Sequence, residues 1–325
     1  MSIKTSFVQR MPLARRRHEI YLPLFPLAIE SFDLTGFDLV LSSSHACAKG
    51  AIPAPEALHI CYCHTPARYA WDLSYLYARR NSWPVRACIA LIMHRFRVWD
   101  VTTASRVDHF VANSRFVAQR IERYYRRPST VIYPPVDTAY FTPGGGSGDY
   151  YLVVSRLTAY KQIGLAVEAF NRLDKPLWIV GDGPESRRLR ALAGSNIRFL
   201  GALPRERVRD AMRGCRALVY PGKEDFGITP VEVQATGRPV IAYGRGGAPE
   251  SVTDGVTGVL FEEQTAEALC TAVDRAAHLP FDQDTIRQHA TQFDHEVFCR
   301  KMTAFVQEKW DQHLVAGQRE PAVGQ

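Results

Sequence analysis

Short apolar runs alternate along this chain with segments whose apolar residues recur every three or four positions. In the first part, runs at 37–42, 58–63 and 109–112 predict strands, and 84–105 and 115–125 predict helices. An extended piece at 130–136 contains Pro134-Pro135, which cannot donate to a ladder, so it is not a central strand. Gly144-Gly145-Gly146-Ser147-Gly148 reads as a flexible linker. Beyond it, strands are expected at 150–155, 177–180, 197–200, 217–220, 240–243 and 259–261. Helices are expected between and after them at 163–173, 185–193, 205–215, 230–236 and 265–278. Such alternation belongs to the α/β class, with parallel sheets covered on both faces and ligands beyond the carboxyl ends of the strands. The pattern divides the chain into 1–145, 146–293 and a closing segment 294–325. In that segment 294–313 reads as a helix, and the last ten residues read as frayed.

The 325 residues are enough for two α/β domains, each with its own core. A hydrophobic content of 46% and a charged content of 22% are those of a soluble globular protein. No apolar run approaches the ~20 residues that span a bilayer, and the basic start (Lys4, Arg10, Arg15-Arg16-Arg17) lacks a signal-peptide core. Seven scattered Cys fit a reducing compartment better than a disulfide framework. The expected location is the cytoplasm. The net charge of +7 is uneven: residues 1–145 hold 18 Lys and Arg against 10 Asp and Glu, the remainder 22 against 23. The basic half points to an anionic partner. With no nucleic-acid module in the sequence, an anionic membrane surface at the inner face of the plasma membrane is the better candidate.

The most informative stretch runs from Glu224 to Glu232, two carboxylates eight positions apart around Gly227. An apolar run ending at Tyr220-Pro221 precedes it. Pro230 suits the first position of a helix, with Thr229 as its cap and Glu232 completing a capping box. Free N–H groups at such a helix start suit a phosphate. Taken alone, Glu232 could merely cap a helix and Glu224 could sit on a solvated loop. Two further features follow predicted strands: Arg156 with Lys161, and Gly181-Asp182-Gly183-Pro184. Parallel strands bring all three to one rim. Two cations with helix-start N–H groups suit a diphosphate, and a carboxylate suits ribose or sugar hydroxyls.

Arg156-x4-Lys161, Gly181-x-Gly183-Pro184 and Glu224-x7-Glu232 together resemble glycosyltransferase family 4, the retaining nucleotide-sugar transferases of GT-B fold. The resemblance continues at Asn113-Ser114, Tyr133-Pro134-Pro135-Val136-Asp137, Phe199-Leu200-Gly201 and Gly246-Gly247-Ala248-Pro249-Glu250. Residues 63–72, from Cys63-His64-Thr65-Pro66 to Trp71-Asp72, resemble the subgroup using GDP-mannose. It covers nearly the whole chain; the ordered set is specific where no single piece is. It implies two Rossmann-like domains facing across a cleft, with the final helix returning to the first. Arg156 and Lys161 would hold the donor diphosphate, Glu232 the ribose, and Glu224 the donor sugar. Backbone near Gly227, Ile228 and Thr229 would reach phosphate or sugar. Gly181, Gly183 and Leu200 would border the base, and His64 would face the reacting sugar. The implied reaction moves a hexose, mannose from GDP-mannose, to a glycan or lipid-linked acceptor in cell-surface polysaccharide synthesis. It needs no cofactor, no metal and no protein nucleophile. A glycan phosphorylase of the same broad fold would need a lysine for pyridoxal phosphate, and none is convincingly placed.

The matching region begins inside the family's first domain. Its opening strand, Gly-rich loop and first helix have no counterpart here, which leaves two expectations. Either the true start lies upstream, or the first domain is incomplete and the chain binds nucleotide-sugars while transfer is impaired. Three other motifs have plain readings. The ligand-rich run from His59 to His64 splits its side chains between two strand faces. Asp282-Gln283-Asp284 stands where Asp caps a helix. The basic amphipathic segment 85–99, with Arg86, His94, Arg95 and Arg97, fits a core-facing helix and a membrane-surface helix equally.

Overall fold

The computed structural model describes residues 3–14, 18–72, 82–144, 146 and 148–317. The triplet Arg15-Arg16-Arg17, linker residues Gly145 and Ser147, and the tail from 318 onward lie outside the described residues. The chain divides into two compact units, Met1–Ile132 with Met302–Gln325, and Tyr133–Lys301. Each is a Rossmann-like α/β unit built on one parallel sheet.

The first sheet has the order β1-β2-β3-β4, comprising Leu39–Ser44, Leu58–Cys63, His109–Ala112 and Ser129–Val131. All its pairs are parallel. Every residue of β2 is buried, as its unbroken apolar run requires. β4 is an edge and stops ahead of Pro134-Pro135. β1 lies two residues later than its apolar pattern predicts. The Gly36 turn, at φ 80°, lies immediately before the expected start. Serines then continue the strand because their hydroxyls find partners: Ser42 Oγ meets His59 Nε2 at 2.9 Å and Ser43 Oγ meets His64 Nε2 at 2.8 Å. Among the described residues β1 pairs only with β2, and Leu41 on it is 54% exposed.

The helix Trp83–Thr102 buries only Phe96 and Asp100. Trp83 is 79% exposed and Leu91 55%. No described helix is long and apolar enough to cross a membrane. Behind this helix lies a fully buried ion pair that sequence pattern did not reveal. Lys49 Nζ stands 3.1 Å from Asp100 Oδ1 and donates to Thr103 Oγ1 at 2.8 Å. The other carboxylate oxygen accepts from Trp71 Nε1 at 2.7 Å and Tyr125 OH at 3.0 Å. The Tyr125 ring lies 4.8 Å from the ammonium. The network ties the turn Ala48–Gly50 and the helices Arg68–Trp71 and Arg115–Tyr125 to the long helix. Arg120 adds a second clamp, pairing with Asp72 and donating to Pro66 O. Together they fix the segment that follows His64.

The second sheet comprises β5 Tyr151–Val154, β6 Leu177–Val180, β7 Ile197–Gly201, β8 Leu218–Tyr220, β9 Val240–Tyr243 and β10 Gly258–Phe261. Its order is β10-β9-β8-β5-β6-β7, all parallel. One face packs under Ile163–Leu173 and Ala266–His278. The other packs under Arg205–Gly214 and Ile228–Ala235. The connections diverge between neighbours β5 and β8, which opens a crevice at their carboxyl ends. The segment from Tyr133 to Phe141 belongs to this unit: Tyr133 stacks on Phe226 at 5.5 Å, and Val136 N donates to Phe293 O at 2.9 Å. The final helix is His295–Gly317. Within the first unit its His313 Nε2 meets Glu56 O at 2.8 Å and its Phe305 meets the His109 ring edge-on.

Removing one partner of the Lys49–Asp100 pair leaves the other charge buried. Asp100→Ala is expected to cost about 3–5 kcal/mol in denaturant unfolding, and Lys49→Met with Asp100→Leu to recover most of it. A loss under about 1 kcal/mol in the single variant would mean the pair is solvated.

Candidate functional site

The crevice between β5 and β8 gathers most of the residues that the motifs single out. Arg156 follows β5 and is exposed; among the described residues no carboxylate pairs with it. Lys161 closes the turn Ala159–Lys161, where Gln162 at φ 56° reverses the chain into the next helix. Its Nζ lies 2.8 Å from Glu224 Oε1. Glu224 is 9% exposed, and its backbone forms a parallel bridge with Gly246. Gly247 N donates to Glu224 O at 2.8 Å. A Cβ on Gly246 would stand 2.4 Å from that oxygen, so only glycine lets the two loops touch.

Gly181 and Gly183 serve the same end. Gly181 has φ 122°, and a Cβ there would meet Ser155 O at 1.9 Å; one on Gly183 would meet Leu157 O at 2.4 Å. The loop after β6 therefore rests backbone-to-backbone on the loop carrying Arg156. Leu157 N donates to Asp182 O and Glu185 N to Leu157 O, both at 3.0 Å. Gly181 N reaches Gly201 O at 2.7 Å, which draws Leu200-Gly201 onto the same rim.

The helix after Glu224 corrects one expectation. It runs Ile228–Ala235 with Gly227 as its cap at φ 90°, and no side chain caps it. Thr229 and Pro230 are its second and third residues, so Glu232 sits two positions too far along to complete a capping box. Glycine's tolerance of positive φ starts the helix two residues earlier than proline's preference for the first turn predicts. The N–H groups of Ile228 and Thr229 have no acceptor inside the helix by geometry. Freed from capping, Glu232 is half-buried with no hydrogen-bond partner among the described residues. Burial pushes its carboxyl up to about 7, against the opposing pull of Arg205.

Arg205 carried no motif signal. It opens the helix Arg205–Gly214 on the loop leaving β7. Its Nη2 meets Asp137 Oδ2 at 3.0 Å, and its guanidinium lies 3.9 Å from the Tyr140 ring centre. His64 belongs to the first unit. It directly follows β2, with its backbone N donating to Ser44 O at 2.8 Å and its ring edge-on to Tyr62 at 5.1 Å. Asp282 accepts from Thr285 N at 2.8 Å and so caps Gln283–Thr291. His59 binds Ser42 and Arg106 O through its two ring nitrogens.

The rim thus holds two cations, two carboxylates and a helix start around one crevice. A profile described as Glycosyl transferases group 1 matches residues 145–293, and one described as Glycosyltransferase Family 4 matches residues 4–140. The chain carries two glycosyltransferase domains. An uncharacterized glycosyltransferase of Methanocaldococcus jannaschii is 28% identical over 169 residues, covering 50% of this chain and 47% of its own length. A D-inositol 3-phosphate glycosyltransferase of Streptomyces griseus is 41% identical over 85 residues, 26% of this chain and 18% of its own length. One of Geodermatophilus obscurus is 29% identical over 257 residues, 68% and 57%. The chain thus spans between 18% and 57% of the length of these curated relatives. Among solved structures, sucrose-phosphate synthase from Thermosynechococcus elongatus aligns with a TM-score of 0.73 at 19% identity, over 92% of this chain and 80% of that one. The Anabaena protein HepE in complex with UDP aligns with 0.60 at 18%, over 77% and 79%. These likenesses place the chain in the GT-B fold. Its domains and its relatives alike are those of transferases.

The raised Glu232 carboxyl holds its proton more tightly folded than unfolded. The stability it contributes is full below its ordinary value of 4.5 and lost as pH rises through about 7. Glu232→Gln is therefore expected to be more stable than wild type at pH 8, by up to about 3 kcal/mol, and so to unfold at higher temperature, with the gain vanishing toward pH 4. Thermal unfolding at both pH values checks this; a pH-independent difference would mean an ordinary carboxylate.

Proposed function

We propose that this chain is a retaining glycosyltransferase that moves a hexose, mannose from GDP-mannose, to a glycan or lipid-linked acceptor in cell-surface polysaccharide synthesis. The observation that carries the reading is the Lys161–Glu224 pair beside Arg156 and the helix start at Gly227, in the crevice between β5 and β8. Arg156 and Lys161 receive the diphosphate and offset its charge as the glycosidic bond breaks, the electrostatic effect expected to dominate such a transfer. N–H groups of Ile228 and Thr229 add donors for phosphate or sugar. Glu224, released from Lys161 as phosphate takes its place, accepts from hydroxyls of the donor sugar. Glu232 accepts from the ribose, and Gly181, Gly183 and Leu200 flank the base. His64 serves the acceptor side. The charge is met by side chains, so the reaction as proposed needs no metal and no cofactor. Retention follows from attack on the face that the leaving group vacates, without a protein nucleophile.

A lipid-linked acceptor fits the exposed helix Trp83–Thr102, whose apolar Trp83, Val85 and Leu91 stand in solvent beside Arg86 and Arg95. We assign this face to an anionic membrane surface, with the protein peripheral at the inner face of the plasma membrane. Arg97 donates to Ala70 O at 2.9 Å and is better left in place. Neutralising Arg86 and Arg95 to Gln is expected to remove about 1 kcal/mol of vesicle binding each. Unchanged co-sedimentation with phosphatidylserine vesicles would sink the assignment. A second reading, a nucleotide-sugar-binding protein with impaired transfer, keeps the same donor site.

Donor binding and turnover separate the two. Lys161→Ala is expected to weaken GDP-mannose binding about ten-fold or more and to lower transfer with it. Glu224→Gln is expected to lower turnover by about 100-fold while binding changes little. Tight donor binding without transfer or slow donor hydrolysis in the unaltered chain puts the second reading first. Full activity in the Lys161 variant removes Lys161 from the diphosphate site.

A further inference from the structure

We infer that Arg205 reads the base of the donor nucleotide and selects guanine. The inference rests on the donor-site reading above and adds a specificity residue to it. Arg205 stands on the loop leaving β7, four residues beyond Gly201, whose carbonyl is tied to Gly181 on the same rim. It is the charged group that opposes the burial of Glu232. With Glu232 on the ribose, the base beyond that ribose comes within reach of Arg205.

The guanidinium is anchored at two points. Its carbon lies 3.9 Å from the Tyr140 ring centre, Asp137 takes an Nη2 proton at 3.0 Å, and Arg209 one turn along lies 4.5 Å from the centre of the same ring. Stacking and an ion pair remove most of the rotamer freedom that a surface arginine otherwise loses on binding. Asp137 uses one end of a fork with five N–H donors, and the side chain is exposed. A rigid pair of parallel donors needs two adjacent acceptors. Guanine presents them as N7 and O6. Adenine sets an amino donor beside N7, and uracil sets N3–H beside O4, so each places a donor against a donor.

Calorimetric titration of the full chain with GDP, UDP and ADP at one fixed salt concentration tests this. Unaltered protein is expected to bind GDP about ten-fold or more tighter than UDP or ADP. Arg205→Ala should erase that margin and bring the three within about two-fold. Arg205→Lys, which keeps the charge and lacks the fork, should erase it too. Tyr140→Leu should narrow the margin by loosening the fork. Lys161→Ala, by contrast, should weaken all three diphosphates together. Equal binding of GDP and UDP by the unaltered chain overturns the inference, as does an equal loss for all three in Arg205→Ala. Either result leaves the donor site standing. Binding of none of the three overturns the donor-site reading and this one with it.

Discussion

At the carboxyl edge of the second sheet, the carbonyl of Ser155 occupies the place where a side chain on Gly181 would begin. That contact decides where everything else on the rim can be. It seats the loop after β6 on the loop that carries Arg156, and the Gly181–Gly201 hydrogen bond draws in the loop after β7. On the other flank, Gly246 and Gly247 press against the backbone of 224–225 in the same way. Lys161 and Glu224 face each other between the two flanks. The charged side chains are long and could adopt many rotamers; the glycines are what fix the distances between their backbones.

The same economy explains why the Gly181-Asp182-Gly183 turn carries glycines at all. A base-bordering role needs only small residues there. The positive φ of Gly181 and the 2.4 Å approach at Gly183 demand the absence of a Cβ whatever the ligand. The turn acts on the site through the position of Arg156.

Much of this was readable in the chain. Strands 58–63, 109–112, 177–180 and 240–243 and helices 115–125 and 163–173 stand where their apolar spacing puts them, because burial on a parallel sheet leaves a strong periodic imprint. The rim residues were readable because each follows a strand end. Four features were not. The helix at Ile228 begins early because a positive-φ glycine leaves no mark that distinguishes it from a loop glycine. Ser43 and Ser44 carry β1 two residues beyond its expected end, and the hydroxyls of Ser42 and Ser43 find partners 17 and 21 positions away. Lys49 and Asp100 are 51 positions apart, and each in isolation looks like an ordinary surface charge. Arg205 was passed over for the same reason: its environment is made by Asp137 and Tyr140, remote in sequence.

The outer edge of β1 has a consequence for the protein in concentrated solution. Leu39-Val40-Leu41-Ser42-Ser43-Ser44 contains no lysine and no proline, the usual guards of a sheet edge. Among the described residues no strand pairs with its outer side, so its backbone groups can template another strand, and the exposed Leu41 favours the contact. What opposes growth from this edge is the excess positive charge of the first 145 residues, which keeps copies apart. That repulsion reaches ~10 Å at 0.1 M salt and ~3 Å at 1 M. Dilute buffer therefore protects the edge, and high salt withdraws the protection without touching the fold.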